Sequence, residues 1–169
     1  QINAASRIGD SSLPTKFFTS QNINEINQIS KTLFLLNEKR KLIENNIYEQ
    51  ALEQAYKQQD NKIILVFGTD WHIGVIGIIA SRLVEKFNKP VVAISFYDKI
   101  NGTGSARSIL NINIGKLIIE AKENGILNNG GGHKFAAGLK IYFDKLELFK
   151  EFLIEKMKDY DLTLFVKKI

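Results

Sequence analysis

The residues from Asn24 to about Gln59 contain no glycine and no proline, so nothing along this stretch interrupts a helix. At 1.5 Å per residue, a helix of that length would reach about 50 Å, which is longer than a small domain needs for its own core. The pattern predicts one long amphipathic helix that bridges two lobes. Two shorter helices broken at Asn45–Asn46 are the alternative. The apolar positions that recur at helical spacing are Ile26, Ile29, Leu33, Leu36, Ile43, Ile47 and Ala51.

The rest of the chain alternates between strand and helix patterns. This order predicts an α/β domain with a mixed β-sheet flanked by helices, preceded by the long connecting helix. We expect Asp144 to cap the last helix. The predicted strands are Lys62–Phe67, Val91–Phe96, about Gly104–Ile109, Leu139–Phe143 and Leu162–Val166, and the predicted helices are Gly74–Phe87, about Ile114–Lys122 and one ending near Met157.

Composition limits the cellular setting and the partners. The formal net charge of +5 favours a polyanionic partner, although a mildly basic surface without any such role is also common. Cysteine is absent, and no apolar run approaches the roughly 20 residues that span a bilayer. We expect a cytoplasmic protein without a membrane partner. The start at Gln1 indicates a piece of a longer chain.

The glycine-rich stretch Gly130–Gly138 is the most informative motif. Three consecutive glycines, Gly130, Gly131 and Gly132, let a ligand approach the backbone, and a helical turn starting near His133 would add its positive dipole end. This combination predicts an anion cradle with His133 at its rim, where the imidazole could stabilise charge that develops in hydrolysis. An ordinary turn beside a surface histidine is the alternative.

A second motif, Gly102–Ser108, combines small residues with one arginine. Arg107 could grip a phosphate bidentately, while Ser105 and Ser108 would offer single hydrogen bonds. A hairpin with a surface arginine is the alternative.

The stretch Asp70–Gly77 holds the tryptophan and the second histidine, His72, at a strand-to-helix junction where ligands of α/β sheets often bind. Trp71 could stack on a base, but packing against the sheet is favoured. The aspartates are scattered along the chain, and we find no two-metal site.

Together these motifs resemble the RecJ-like members of the DHH family of phosphoesterases. Ile2–Asp10 is similar to the INAAGR segment that closes the catalytic core of that family, and Leu36–Glu44 is similar to its connecting helix. Asp70–Arg82 resembles the DWHxGVxGIxASR signature, and the arginine and glycine-histidine motifs follow in family order. Ser6 and Ala106 stand where glycine is usual in the family.

The resemblance implies the substrate-binding part of a 5′-to-3′ single-stranded-DNA exonuclease of DNA repair and recombination, acting as a monomer. In this reading residues 1–20 end the catalytic core, 21–60 connect, 61–160 bind substrate and 161–169 begin another module. Mn²⁺ or Mg²⁺ would be bound by residues outside this chain, Arg107 and His133 would hold phosphates, and Arg7 and Asn3 would line the far wall of the groove. A DHH phosphodiesterase acting on short oligonucleotides or cyclic dinucleotides, and a non-catalytic nucleic-acid-binding module, are the alternatives.

Overall fold

The computed structural model describes residues 2–161, which divide between Ile47 and Tyr48 into two compact units. The first unit contains helices α1 (Ile2–Ile8) and α2 (Leu13–Thr19) and most of helix α3 (Ile23–Tyr56). Its small core joins Ala5 of α1 to Ile29 and Leu33 of α3.

Helix α3 is continuous through Asn45–Asn46, so the prediction of one long helix is confirmed and the broken alternative is wrong. Within the helix, Arg40 forms an ion pair with Glu44 at 2.6 Å and donates to Asn37 Oδ1 at 3.3 Å. The bridging role of α3 and the predicted domain limits stay predictions.

The second unit is built on a five-stranded mixed sheet, which confirms the predicted fold class. The strand order is β1-β2-β3-β5-β4, with β1 parallel to β2 and the other neighbours antiparallel. The strands are β1 (Ile64–Thr69), β2 (Val91–Phe96), β3 (Asn101–Arg107), β4 (Asn129–Gly132) and β5 (Ala136–Tyr142), and the helices are α4 (Ile73–Phe87), α5 (Ile114–Glu123) and α6 (Leu146–Met157).

The two faces of the sheet are covered differently. On one face, Ala106, Leu139 and Ile141 pack with Ile118 of α5 and Phe149 of α6 in a large apolar core. On the other face, α4 packs against β2 and β3. Burial of the alternate side chains Ala137, Leu139 and Ile141 along β5 favours this arrangement, because apolar area removed from water is the main favourable term in folding.

Two glutamine side chains bind the outer edge of β1, Gln54 of α3 and Gln58 of the turn that follows the helix. Gln54 donates to Phe67 O at 2.7 Å and accepts from Phe67 N at 3.0 Å. Gln58 makes the same pair of bonds with Leu65, at 2.8 and 3.1 Å. The two glutamines are four positions apart and their partners are two positions apart, so each side-chain amide makes the pair of hydrogen bonds that a neighbouring strand would make at this edge.

The predictions for the start of α6, for the third strand and for the last strand have different outcomes. Asp144 does not cap α6, because a 3₁₀ turn at Phe143–Lys145 precedes the helix and no side chain caps it. The third strand was predicted too late in the chain, since β3 ends at Arg107. The predicted strand Leu162–Val166 lies outside the described residues. In residues 2–161 no helix combines the length and the hydropathy of a membrane span.

We predict that Gln54→Ala lowers the free energy of unfolding by about 1–3 kcal/mol, because it leaves the partly buried N–H and C=O of Phe67 without partners. Glu53→Ala is the matched control on the exposed side of the same turn, and we expect it to leave the urea midpoint unchanged. Equal midpoints for the two variants would show that the glutamine contacts do not stabilise β1.

Candidate nucleic-acid interface

The face of the sheet that carries α4 is left open over β5 and β4. Cross-strand register places Ser105, Gly138 and Gly131 in one row across β3, β5 and β4. The next row contains Thr103, Lys140 and Asn129. Because side chains alternate across a strand, both rows present their side chains on this open face.

All residues of these rows except Ser105 line a cleft of about 380 Å³, together with Gly104, Gly130 and Leu139. Its centre has no side chains, since a Cβ atom built on Gly131 would meet nothing within 4 Å and one on Gly138 would meet only Gly104 O, at 4.0 Å. Polar groups of Thr103, Asn129 and Lys140 stand beside this bare backbone. The cleft can therefore admit a ligand that lies directly on the strands and meets hydroxyl, amide and ammonium groups at its side.

Arg107 lies on the row beyond Ser105, and its guanidinium is held in place. Nη1 donates to Ser105 Oγ at 2.9 Å and to Ala106 O at 2.8 Å. A Cβ on Gly77 of α4 would come within 3.0 Å of Nη2, so glycine at this position makes room for the guanidinium. An arginine fixed in this way loses little rotamer freedom when it binds a phosphate.

The two serines of the arginine motif make hydrogen bonds within the domain. Ser105 accepts a hydrogen bond from Arg107 and so orients the guanidinium. Ser108 donates to Ile112 O at 2.8 Å and closes the loop that leads to α5. Direct bonds from either hydroxyl to a phosphate stay a prediction.

The predicted helical turn at His133 is wrong. Gly130, Gly131 and Gly132 belong to strand β4, and His133 N donates to Ala136 O at 2.8 Å to close a tight hairpin. The N-terminus of α5 does approach this hairpin, but Ile114 N donates to Lys134 O at 3.1 Å. One of the first backbone N–H groups of α5 is therefore bonded to the hairpin, and the three glycines form a strand in place of the start of a helical turn. Anion binding by these glycines stays a prediction.

The glycines of β4 have separate functions. A Cβ on Gly132 would lie 2.4 Å from Ala136 O, and one on Gly130 would lie 2.7 Å from the Ile118 side chain. These two positions need glycine for packing, whereas Gly131 faces the cleft. His133 follows them as an exposed residue at the start of the hairpin turn.

Trp71 and His72 have structural contacts. Trp71 is only 3% exposed, its Nε1 donates to Gln50 Oε1 at 3.0 Å, and its indole fills the space above Gly68. Packing of Trp71, the favoured prediction, is confirmed, and it cannot stack on a base. His72 caps α4, with Nδ1 accepting from Gly74 N at 3.1 Å. Any contact of His72 with nucleic acid would have to use Nε2.

Asn3 and Arg7 lie on α1 in the first unit, where both side chains are exposed. The Asn3 carbonyl accepts from Ser6 Oγ at 3.2 Å. Their predicted position on the far wall of a groove stays a prediction.

Three polar residues that line the cleft were not predicted from the sequence: Thr103, Asn129 and Lys140. The signal for Lys140 was present, because Ala136, Gly138, Lys140 and Tyr142 alternate with apolar residues along β5. Asn129 had no such signal, since its strand consists otherwise of glycine.

Carboxylates and histidines do not gather in the described part of the chain. Across residues 2–161, no three of them lie close enough together to hold a metal ion. These residues do not fit the Mn²⁺ or Mg²⁺ that the resemblance implies.

The DHHA1 domain family matches residues 43–159, which include the whole sheet and the cleft. The chain belongs to this family. The chain is also 34% identical over 160 residues to the single-stranded-DNA-specific exonuclease RecJ of Escherichia coli, a match that covers 89% of this chain and 27% of that protein. The chain thus spans about a quarter of that relative.

Solved structures agree with this assignment. RecJ from Thermus thermophilus in complex with Mg²⁺ superposes with a TM-score of 0.84 and 28% identity, over 95% of this chain and 24% of that one. An exonuclease RecJ bound to manganese gives a TM-score of 0.82 at 28% identity, over 95% of this chain and 39% of that one. The predicted resemblance to RecJ is confirmed. A pGpG-specific phosphodiesterase from Vibrio, at 20% identity and a TM-score of 0.53 over 89% of this chain and 51% of that one, shares the fold alone.

We predict opposite effects of alanine at adjacent glycines. Gly132→Ala should destabilise the domain by about 1–3 kcal/mol, because the new methyl group collides with the backbone of β5. Gly131→Ala should leave stability unchanged or raise it by about 0.4–1 kcal/mol, since the methyl group points into open space and the unfolded chain loses freedom. Urea unfolding of both variants tests this, and similar midpoints would contradict the assignment of Gly131 to the cleft floor.

Proposed function

We propose that this chain is the substrate-binding part of a metal-dependent single-stranded-DNA exonuclease. The observation that carries the proposal is the cleft with a backbone floor, beside an arginine whose guanidinium is already oriented. The similarity to RecJ over most of the chain supports single-stranded DNA as the ligand, because those relatives are named for that specificity. The 5′-to-3′ direction and a role in DNA repair and recombination rest on the resemblance alone.

The chemistry of the cleft suits an unpaired strand. A sugar-phosphate backbone can lie flat on Gly131 and Gly138, because no side chain separates it from the sheet. Lys140 then supplies a charge for a phosphate, and Thr103 and Asn129 supply neutral hydrogen bonds. Such contacts do not depend on base identity, and an exonuclease that degrades strands of any sequence requires contacts of this kind.

Arg107 provides the strongest single contact in this proposal. Guanidinium–phosphate pairs are charge-assisted and often bidentate, and Ser105 fixes the orientation of this one. His133 stands at the start of the β4–β5 hairpin, and we assign to it the stabilisation of charge on a nearby phosphate during cleavage.

The hydrolytic metals belong elsewhere in this proposal. RecJ has been solved with Mg²⁺ and with Mn²⁺, and the described residues of this chain hold no matching cluster. The metals are then carried by residues outside this chain, which binds the strand but does not hydrolyse it by itself. The cytoplasmic location and the monomeric state stay predictions.

A phosphodiesterase for short oligonucleotides or cyclic dinucleotides is less well supported. The neighbour of that kind shares only the fold, whereas the RecJ relatives also share sequence. A preference of the chain for a dinucleotide over a longer strand would favour this alternative.

We predict that Arg107→Lys weakens the binding of a single-stranded oligonucleotide about tenfold or more. Lysine keeps the charge but loses the oriented fork, and a hydrogen bond to a charged group contributes about 1.5–3 kcal/mol. Fluorescence anisotropy at constant salt measures the dissociation constant, and Lys134→Ala at the hairpin tip is the control with a smaller expected effect. If the Lys134 variant loses as much affinity as the Arg107 variant, binding depends on charge alone and the assigned role of Arg107 is wrong.

A further inference from the structure

A second cavity lies at the far end of β5, beyond the cleft. It measures about 420 Å³ and is lined by Lys99, Ile100, Tyr142, Phe143 and Asp144. Its apolar walls are unusually accessible, since Ile100 is 60% exposed and Tyr142 is 47% exposed.

Tyr142 belongs to the same face of the sheet as the cleft. Along β5 the exposed residues Gly138, Lys140 and Tyr142 alternate with the buried Leu139 and Ile141. Tyr142 pairs with Asn101 of β3, one row beyond the pair of Lys140 and Thr103. Tyr142 therefore extends the line of residues on this face that begins at Arg107 and continues through Lys140.

The length of this series fits an extended strand. From Ala136, the partner of Arg107, to Tyr142 the β-strand rises by about 20 Å at roughly 3.4 Å per residue. Several nucleotides of an extended single strand occupy such a length. A phosphate at Arg107 and a base at Tyr142 can then belong to one bound molecule.

We propose that Tyr142 is a stacking platform for an unpaired base of the strand whose phosphates lie over the glycine floor, with Lys140 at an intervening phosphate. The proposal rests on the proposed function and names a further subsite of the same interface. Every base has a π-face, so a half-exposed aromatic ring beside a cationic groove binds single strands without selecting a sequence.

The charges around the cavity agree with a nucleic acid as its occupant. Lys99 and Asp144 line the cavity, and Asp98 precedes Lys99 in the turn between β2 and β3. Asp98 is engaged by its own turn, where its oxygens accept from the backbone and the side chain of Asn101, and the Asn101 N–H holds the pKa of Asp98 below its usual range. Asp144 is the remaining exposed carboxylate at the rim, so a base is a better occupant of the cavity than a phosphate.

The test compares oligonucleotides of different length on the complete 169-residue chain. Anisotropy gives the affinity for strands of about two and about six nucleotides, and 2-aminopurine placed at successive positions reports stacking. We expect Tyr142→Ala to weaken the longer strand about tenfold, to leave the dinucleotide unchanged and to abolish 2-aminopurine quenching at one position. Tyr142→Trp should retain both the affinity and the quenching. Tyr56→Ala is the matched control, because Tyr56 is 48% exposed but packs on Phe87 at the end of α3.

The outcomes separate this inference from the proposed function. If Arg107→Lys weakens both strands and Tyr142→Ala weakens neither, the stacking subsite is wrong and the proposed function stands. Equal losses on both strands for Tyr142→Ala would also overturn the subsite, because they indicate a general disturbance of the sheet. If the unaltered chain binds neither strand, the proposed function itself fails. If Tyr142→Ala changes self-association in sedimentation experiments and not DNA binding, the exposed surface around Tyr142 joins copies of the chain and the inference is wrong.

Discussion

Three glutamines, Gln50 and Gln54 of α3 and Gln58 of the turn after it, connect this end of the helix to the first strand and to the junction that follows it. Gln54 and Gln58 occupy the backbone groups on the outer edge of β1, and Gln50 holds the indole of Trp71. An edge strand needs such partners, because unpaired backbone groups are costly when buried and invite pairing with other chains when exposed. These contacts fix β1 and the residues that precede α4, and α4 in turn packs against β3, the strand that carries Arg107.

The face of the sheet that carries α4 is open over β5 and β4, because α4 packs against β2 and β3. Gly77 of α4 accommodates the Arg107 guanidinium, while β5 and β4 extend beyond the helix with Gly138 and Gly131 facing outward. Glycine in a strand interior usually weakens the strand, through backbone entropy and the absence of a side chain to pack. Packing of α5 beneath Gly130 supports this strand from the opposite face, so a floor without side chains remains ordered.

Much of the fold could be predicted because its signals are local. Val91–Phe96 was predicted with the observed limits, since all six side chains are buried and five of them are apolar. Strand β4 could not be predicted in this way, because three glycines carry neither hydrophobic periodicity nor strand propensity, and pairing with β5 imposes their conformation. Asp144 looked like a helix cap, but the 3₁₀ turn between β5 and α6 overrides that local preference.

The candidate site was predicted in its residue types and less well in its geometry. The sequence predicted Arg107 as a phosphate ligand, which stays a prediction, whereas its orientation by Ser105 depends on a contact within the folded sheet. The most direct measurement is an NMR titration of the ¹⁵N-labelled chain with a short single-stranded oligonucleotide. The account predicts that the largest shifts occur at the amides of Gly131, Gly138 and Lys140 and at the Arg107 Nε. The largest shifts on the opposite face, around Leu148 of α6, or no shifts at saturating DNA, would contradict it.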